Sequence, residues 1–278
     1  SGCPSVTDSD VNRCLLTICV PPCSSYLHVD KTLYVFWCAE YAWLTLSKPM
    51  DAIIVGGFII DFDKLIEAHL KRERKPKEIG RYYPSEIGSC IRKVWYSYKY
   101  PMEIEPDRLK IFEIGNILHD FIIQVFKSEK NVDSIKFLES ELPFKMDLKD
   151  FIISGRLDDV LIAKEDNRKM IIEVKSIKDI RVALKPNKTH VMQLQLYMHA
   201  TGIHSGIILY VDKMSLKTKA FEIPYEEKHS LDILKRFRAL DELLKKDVLP
   251  IDEAKQSKDT IWMCNMCEYR AKCDRNEK

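Results

Sequence analysis

The stretch GRLDDVLIAKEDNRKMIIEVKS, residues 155–176, constrains this chain more than any other. Two runs rich in branched apolar residues, Leu157 to Ala163 and Lys169 to Lys175, flank the polar turn Lys164 to Arg168, which is the pattern of a β-hairpin. Side chains alternate along a strand, so Glu173 and Lys175 share one face and Val174 points to the other. Asp158, on the partner strand, can join them, and two carboxylates then converge with an ammonium. The neighbouring Asp159 leaves the choice between the two aspartates open by one position, although in a regular strand it faces away from Asp158.

Such a set suits phosphodiester cleavage. Carboxylates hold Mg²⁺ or Mn²⁺, the metal polarises a phosphate and acidifies water, and a lysine positions that water. An imidazole is a sensible third protein ligand and shifts preference toward Mn²⁺; His119 stands four residues after Gly115 in the segment Arg108 to Phe126, where apolar residues recur at helical spacing. Downstream, Gln193 and Tyr197 lie one turn apart on the predicted helix Thr189 to Ala200, where an amide and a phenol can hold water or phosphate.

The flanking elements give the fold class. Residues 61–75 predict an amphipathic helix with Phe62, Leu65, Ile66 and Leu70 on one face. A short helix carries Cys90 and the basic and aromatic residues Arg92, Lys93, Trp95, Tyr96, Tyr98 and Lys99, a combination that grips single-stranded DNA or packs as core. Residues 127–150 read as a loop, followed by a strand at Phe151 to Ser154. After the hairpin and the helix come strands Gly206 to Val211 and Thr218 to Ile223, then a long amphipathic helix Glu226 to Lys246. This order predicts an α/β domain with a mixed sheet. Residues 1–57 differ in kind, with few charges and no clean period, and are set apart as an N-terminal appendage from a domain spanning 58–278.

Charge and cysteine usage narrow the rest. The chain has 44 Lys and Arg against 42 Asp and Glu, a net +2, so a polyanionic partner must meet local charge. Lys178, Arg181, Lys185 and Lys188, after the active-site strand, are placed to line such a path. No window is long and apolar enough for a membrane span, and no basic leader precedes an apolar segment, so a cytoplasmic location is expected. Of nine cysteines, Cys264, Cys267 and Cys273 form a C-x2-C-x5-C run, which needs a fourth ligand, and Cys90 is the obvious supplier. Four thiolates suit an iron-sulfur cluster or a structural Zn²⁺. The cysteines at 3, 14, 19, 23 and 38 lack a recognised ligand spacing.

In order, Gly115-x3-His119, Gly155-x2-Asp158, Glu173-x-Lys175 and Gln193-Leu194-x2-Tyr197 resemble the RecB-like nucleases of the PD-(D/E)XK superfamily. SCIRKVWY around Cys90, with the late CNMCEYRAKC, is similar to the iron-sulfur nucleases that include the CRISPR-associated Cas-four exonucleases and the AddB nuclease domain. The resemblance implies a restriction-endonuclease-like sheet flanked by helices, with His119, Asp158 and Glu173 as metal ligands and Lys175 as catalytic residue. Gln193 and Tyr197 would be a supporting pair, and Cys90, Cys264, Cys267 and Cys273 would hold a [4Fe-4S] cluster tying the residue-90 region to the C-terminus. It further implies Mn²⁺- or Mg²⁺-dependent cutting of single-stranded or frayed DNA in CRISPR spacer acquisition and antiviral defence, with CRISPR adaptation proteins as partners. A stand-alone RecB-type repair or viral recombination nuclease, and a catalytically silent DNA-binding adaptor, remain the alternatives.

Overall fold

The computed structural model describes residues 58–278 apart from 74 and 132, together with four earlier strands. The chain divides into two compact units, Ser1–Lys71 and Arg72–Lys278. In the first, β1 (Leu16–Cys19), β2 (Leu33–Phe36) and β3 (Leu44–Leu46) form a three-stranded sheet. The antiparallel pair β4 (Ala52–Val55) and β5 (Phe58–Asp61) leads into α1 (Phe62–Leu70). Asp61 caps that helix by accepting from the Lys64 backbone N–H at 3.0 Å. The side chains of the cysteines at 3, 14, 19, 23 and 38 lie outside the described residues.

The second unit is built on a six-stranded mixed sheet in the order β11-β10-β9-β8-β6, with β7 added on β8. Its strands are β6 (Arg81–Tyr82), β7 (Ile135–Asp147), β8 (Ile152–Ala163), β9 (Arg168–Ile177), β10 (Ser205–Asp212) and β11 (Thr218–Pro224). The hairpin expected from the sequence is β8–β9, antiparallel with Asp159 opposite Ile172. Between the parallel strands β9 and β10 runs α4 (Lys188–Thr201), a helical crossover of the kind parallel pairing requires. Asn187 caps α4 through its side chain, and Gly202 ends it at φ 69°, a left-handed value that glycine adopts without penalty.

Helices cover both faces of the sheet. On one, Leu118 and Ile122 of α3 (Pro106–Lys127) pack on Leu161, Ile172, Val174 and Val211. On the other, Leu194, Tyr197 and Met198 of α4 pack on Leu157, Ile171 and Ile208. Behind α4, α5 (Glu227–Lys245) meets α2 (Ile91–Lys99), and Phe237, Trp95, Tyr96 and Tyr82 share a third apolar cluster. The α/β architecture with a mixed sheet flanked by helices is therefore as the order of elements predicts. A last short helix, α6 (Arg270–Asp274), lies near the C-terminus. Among the described residues no helix is long and apolar enough to cross a membrane.

Two readings change. The segment 127–150 is not simply a loop, because it contains the 13-residue strand β7. Likewise, Phe151 to Ser154 and Leu157 to Ala163 belong to one continuous strand, β8, whose two halves use different neighbours: Ile152 and Ile153 pair with β6, whereas residues 159–163 pair with β9.

Candidate active site

Four groups meet where α3 crosses the middle of β8 and β9. The β8–β9 ladder stops at Asp159↔Ile172, and beyond it the Asp158 carboxylate takes the place of a backbone acceptor, its Oδ2 receiving the Val174 N–H at 3.0 Å. On the other edge of β8, the register places Glu141 across from Asp158, between the pairs Ser140↔Asp159 and Leu142↔Leu157. Glu141 has φ 55°, the left-handed region that non-glycine residues seldom occupy. Both strands thus depart from regular geometry at the point where their acids lie opposite each other.

His119 projects from α3 onto this irregularity. Its Nε2 lies 3.2 Å from Asp159 Oδ2 and its Nδ1 3.8 Å from Glu141 Oε1. Ligand atoms of His119, Glu141 and Asp158 all fall within 4.8 Å of one another, the one such trio among the described residues. Glu173 stands outside this trio and is joined to it by Lys175, whose ammonium pairs with Glu173 Oε1 and lies 3.8 Å from Asp158 Oδ2. Asp159 is fully buried, with its Oδ2 against His119 of α3.

The electrostatics are those of an acid cluster taken out of water. Burial, with the nearby Asp158, pushes the Glu173 carboxyl up to about 8. Asp158 is also raised by burial, with Lys175 opposing. Burial works against the Lys175 ammonium, but Glu173 and Asp158 outweigh it and raise its pKa. For His119, burial favours the neutral ring, yet the hydrogen bond to Asp159 and the charge of Asp158 raise it on balance. Among the described residues, Glu173 Oε2 and Asp159 Oδ1 are buried without a hydrogen-bond partner. Orphaned carboxylate oxygens of this kind are costly unless a cation satisfies them, so the donor set fits a divalent metal ion.

Gln193 and Tyr197 do share one face of α4, and the amide donates to the phenol oxygen at 2.8 Å. Tyr197 is nearly buried, and its phenol is raised by burial and then by Glu173 and Asp158. Gly155 is required by packing rather than by conformation: a Cβ there would fall 2.9 Å from the Pro84 ring and 3.1 Å from Phe144.

The thiols of Cys90, Cys264, Cys267 and Cys273 line a single pocket. Cys90 caps α2, Cys264 ends a 3₁₀ turn (Ile261–Cys264) and Cys273 lies in α6. Burial raises the Cys267 thiol, and burial with the neighbouring Cys90 and Cys273 raises that of Cys264. Around them, Arg92 Nη1 reaches Cys273 Sγ at 3.7 Å, and Tyr96 stacks on Tyr269 with centroids 5.5 Å apart.

The basic and aromatic segment 92–99 is core rather than grip. Trp95, Tyr96 and Tyr98 are buried, Arg92 is buried with its guanidinium donating to Pro250 O and Asn276 Oδ1, and Lys93 pairs with Glu268. The four cations after β9 are divided: Arg181 is chelated by Asp179, Lys178 lies beside it, and Lys185 and Lys188 face a different groove.

The model of the PD-(D/E)XK nuclease superfamily matches residues 118–274, more than half of the chain. The chain belongs to the PD-(D/E)XK nuclease superfamily. Among solved structures it is similar to SSO0001, at 22% identity and TM-score 0.50 over 75% of this chain and 91% of that one. It is also similar to LHK-Exo, an alkaline exonuclease from Laribacter hongkongensis (12% identity, TM-score 0.43, 61% of this chain and 90% of that one). A phage-related exonuclease from Haemophilus somnus 129PT aligns at 15% identity and TM-score 0.42 over 60% of this chain and 96% of that one. Comparison with curated proteins gives no match.

Proposed function

We propose that this superfamily member is a metal-dependent deoxyribonuclease that trims single-stranded or frayed DNA ends. The observation that carries the reading is the convergence of His119, Asp158 and Lys175, from α3, β8 and β9, on a pair of buried acids whose oxygens lack partners. His119, Asp158 and Glu173 would hold Mg²⁺ or Mn²⁺, with Glu141 as an added carboxylate. When bound, the ion supplies Lewis-acid polarisation of the phosphate and lowers the pKa of water.

The chain's own groups do the rest. Lys175 is held charged by Glu173 and Asp158, so its ammonium orients the attacking water and stabilises charge developing on the phosphate. Asp159 holds His119 Nε2–H, which leaves Nδ1 as the ring's free lone pair on the side of Glu141 and Asp158. Tyr197, kept protonated by burial and hydrogen-bonded to Gln193, offers a phenol to a phosphate oxygen or to water.

The four thiols would hold a [4Fe-4S] cluster of structural role. What supports this is the placement of all four cysteines around one pocket and the C-x2-C-x5-C spacing, which suits a cluster and equally a structural Zn²⁺. With the motif order, this supports a Cas-four-type nuclease working on CRISPR spacer precursors.

The test is digestion of end-labelled single-stranded DNA with Mn²⁺ by wild type and by Lys175→Ala, with iron, sulfide and visible absorbance measured on protein prepared without oxygen. The variant should lose activity by at least about 10²-fold. Equal digestion by both proteins ends the active-site assignment, and a colourless zinc protein ends the cluster assignment.

A further inference from the structure

A groove separates the loop that leaves β9 from the cysteine-bearing segment. Val182, Leu184, Lys185 and Lys188 line one side, and Trp262 and Met263 line the other. Its floor is fixed by a close approach, since a Cβ on Gly88 would fall 2.3 Å from that of Thr189 in the first turn of α4. The groove offers ≈ 610 Å³ of space and is open to solvent.

The lining combines two chemistries that a folded protein seldom leaves in water together. Leu184 is 80% exposed, Val182 75% and Trp262 52%. The indole is nevertheless anchored, because its Nε1 donates to Asp259 O at 2.9 Å. Lys185 and Lys188 are exposed, and neither meets a carboxylate among the described residues. On the acidic side, Glu253 is already clamped by Arg236 and by the Ile91 N–H, leaving Asp259 at the rim. One edge of the groove is hydrogen-bonded to the strand that runs beside Lys175. The Asn187 N–H on its edge donates to Tyr210 Oη at 2.9 Å, and Tyr210 is the register partner of Lys175.

We infer that this groove holds a single strand of nucleic acid on its way to Lys175, with Trp262 stacking on a base and Lys185 and Lys188 meeting phosphates. The inference rests on the nuclease reading and adds the strand's path to it. Unpaired bases offer faces to an exposed indole and phosphates to free lysines. A duplex hides its base faces and would leave Leu184 and Trp262 without an apolar partner.

The test uses the full chain carrying Lys175→Ala, so that the probe survives, and reads the anisotropy of fluorescein-labelled oligo-dT and of a blunt duplex. Adding Trp262→Ala should weaken oligo-dT binding about ten-fold or more, while Trp262→Phe keeps most of it. The pair Lys185→Ala and Lys188→Ala should flatten the salt dependence by roughly 0.7 per lost phosphate contact. Unchanged melting and visible spectra exclude a folding defect in these variants. The inference is overturned if these variants bind like their parent, or if the duplex binds as tightly as oligo-dT. In either case the nuclease reading survives provided wild type digests oligo-dT with Mn²⁺. Absence of both binding by the parent and digestion by wild type overturns both.

Discussion

His119 is held between two acids that the chain supplies from different strands: its Nε2 lies 3.2 Å from Asp159 Oδ2 on β8, and its Nδ1 3.8 Å from Glu141 Oε1 on β7. A histidine clamped in this way presents one nitrogen in a chosen tautomer. In the proposed site the acid behind it would govern metal affinity without touching the ion.

Asp159→Asn therefore should weaken Mn²⁺ binding by about 10- to 100-fold, the usual effect of removing a carboxylate behind a ligating histidine. Calorimetric titration of Mn²⁺ checks this, with Asp158→Asn as the more damaging comparison. Equal affinity of Asp159→Asn and wild type would show that the tautomer is set elsewhere.

Glu141 combines a carboxylate aimed at the site with a left-handed backbone. Glu141→Gly should release that strain, which is about 1 kcal/mol for a non-glycine residue, and raise the melting temperature while lowering metal affinity. Opposite signs in the two measurements identify backbone strain held for a functional purpose; Glu141→Ala should lower affinity without gaining stability.

The buried Glu173 makes the metal-free protein sensitive to alkali. Its folded pKa, about 8, stands above the ordinary 4.5, so the folded state binds the extra proton and this contribution to stability is fully present below about pH 4.5. It is lost as pH rises through about 8, with a limiting slope of about 1.4 kcal/mol per pH unit for one proton. Lys175 stays charged across this window because its pKa is raised as well. Urea unfolding of chelator-treated protein from pH 5 to 9 should show the decline, Glu173→Gln should flatten it, and added Mg²⁺ should suppress it.

The clasp should carry stability rather than chemistry. Cys264→Ala is expected to lower the melting temperature and to expose the Tyr96–Tyr269 stack, with lowered activity as a consequence. Differential scanning calorimetry beside Mn²⁺ titration separates the two: a loss of Mn²⁺ affinity at unchanged melting would contradict a structural role.

Much of this arrangement is legible in the residues, and the exceptions have local causes. The β8–β9 hairpin, α3 and α4 follow from uninterrupted periodicity, which is why His119, Asp158, Glu173, Lys175, Gln193 and Tyr197 could be picked out. β7 escapes the same reading because its register shifts between Phe137 and Glu139. The apolar positions Ile135 and Phe137 are then out of phase with Leu142, Phe144 and Met146, and Glu141 is lost with the strand. The burial of Asp159 against His119 has a related cause, since the regular β8–β9 ladder stops at Asp159↔Ile172 and no local pattern marks that point. Trp95 and Tyr98 show the limit of composition: basic and aromatic residues mixed on one helix suit a nucleic-acid surface equally well, and burial, which no local pattern reveals, decides against it.

The separation of Cys90 from its three companions also orders events during synthesis. Its thiol emerges early and cannot meet Cys264, Cys267 and Cys273 until the strands, both flanking helices and every candidate catalytic side chain have left the ribosome. Any group those sulfurs share is accordingly enclosed only after every candidate catalytic side chain has been synthesised. Chains halted before residue 264 would carry all the acids and still lack the closing joint.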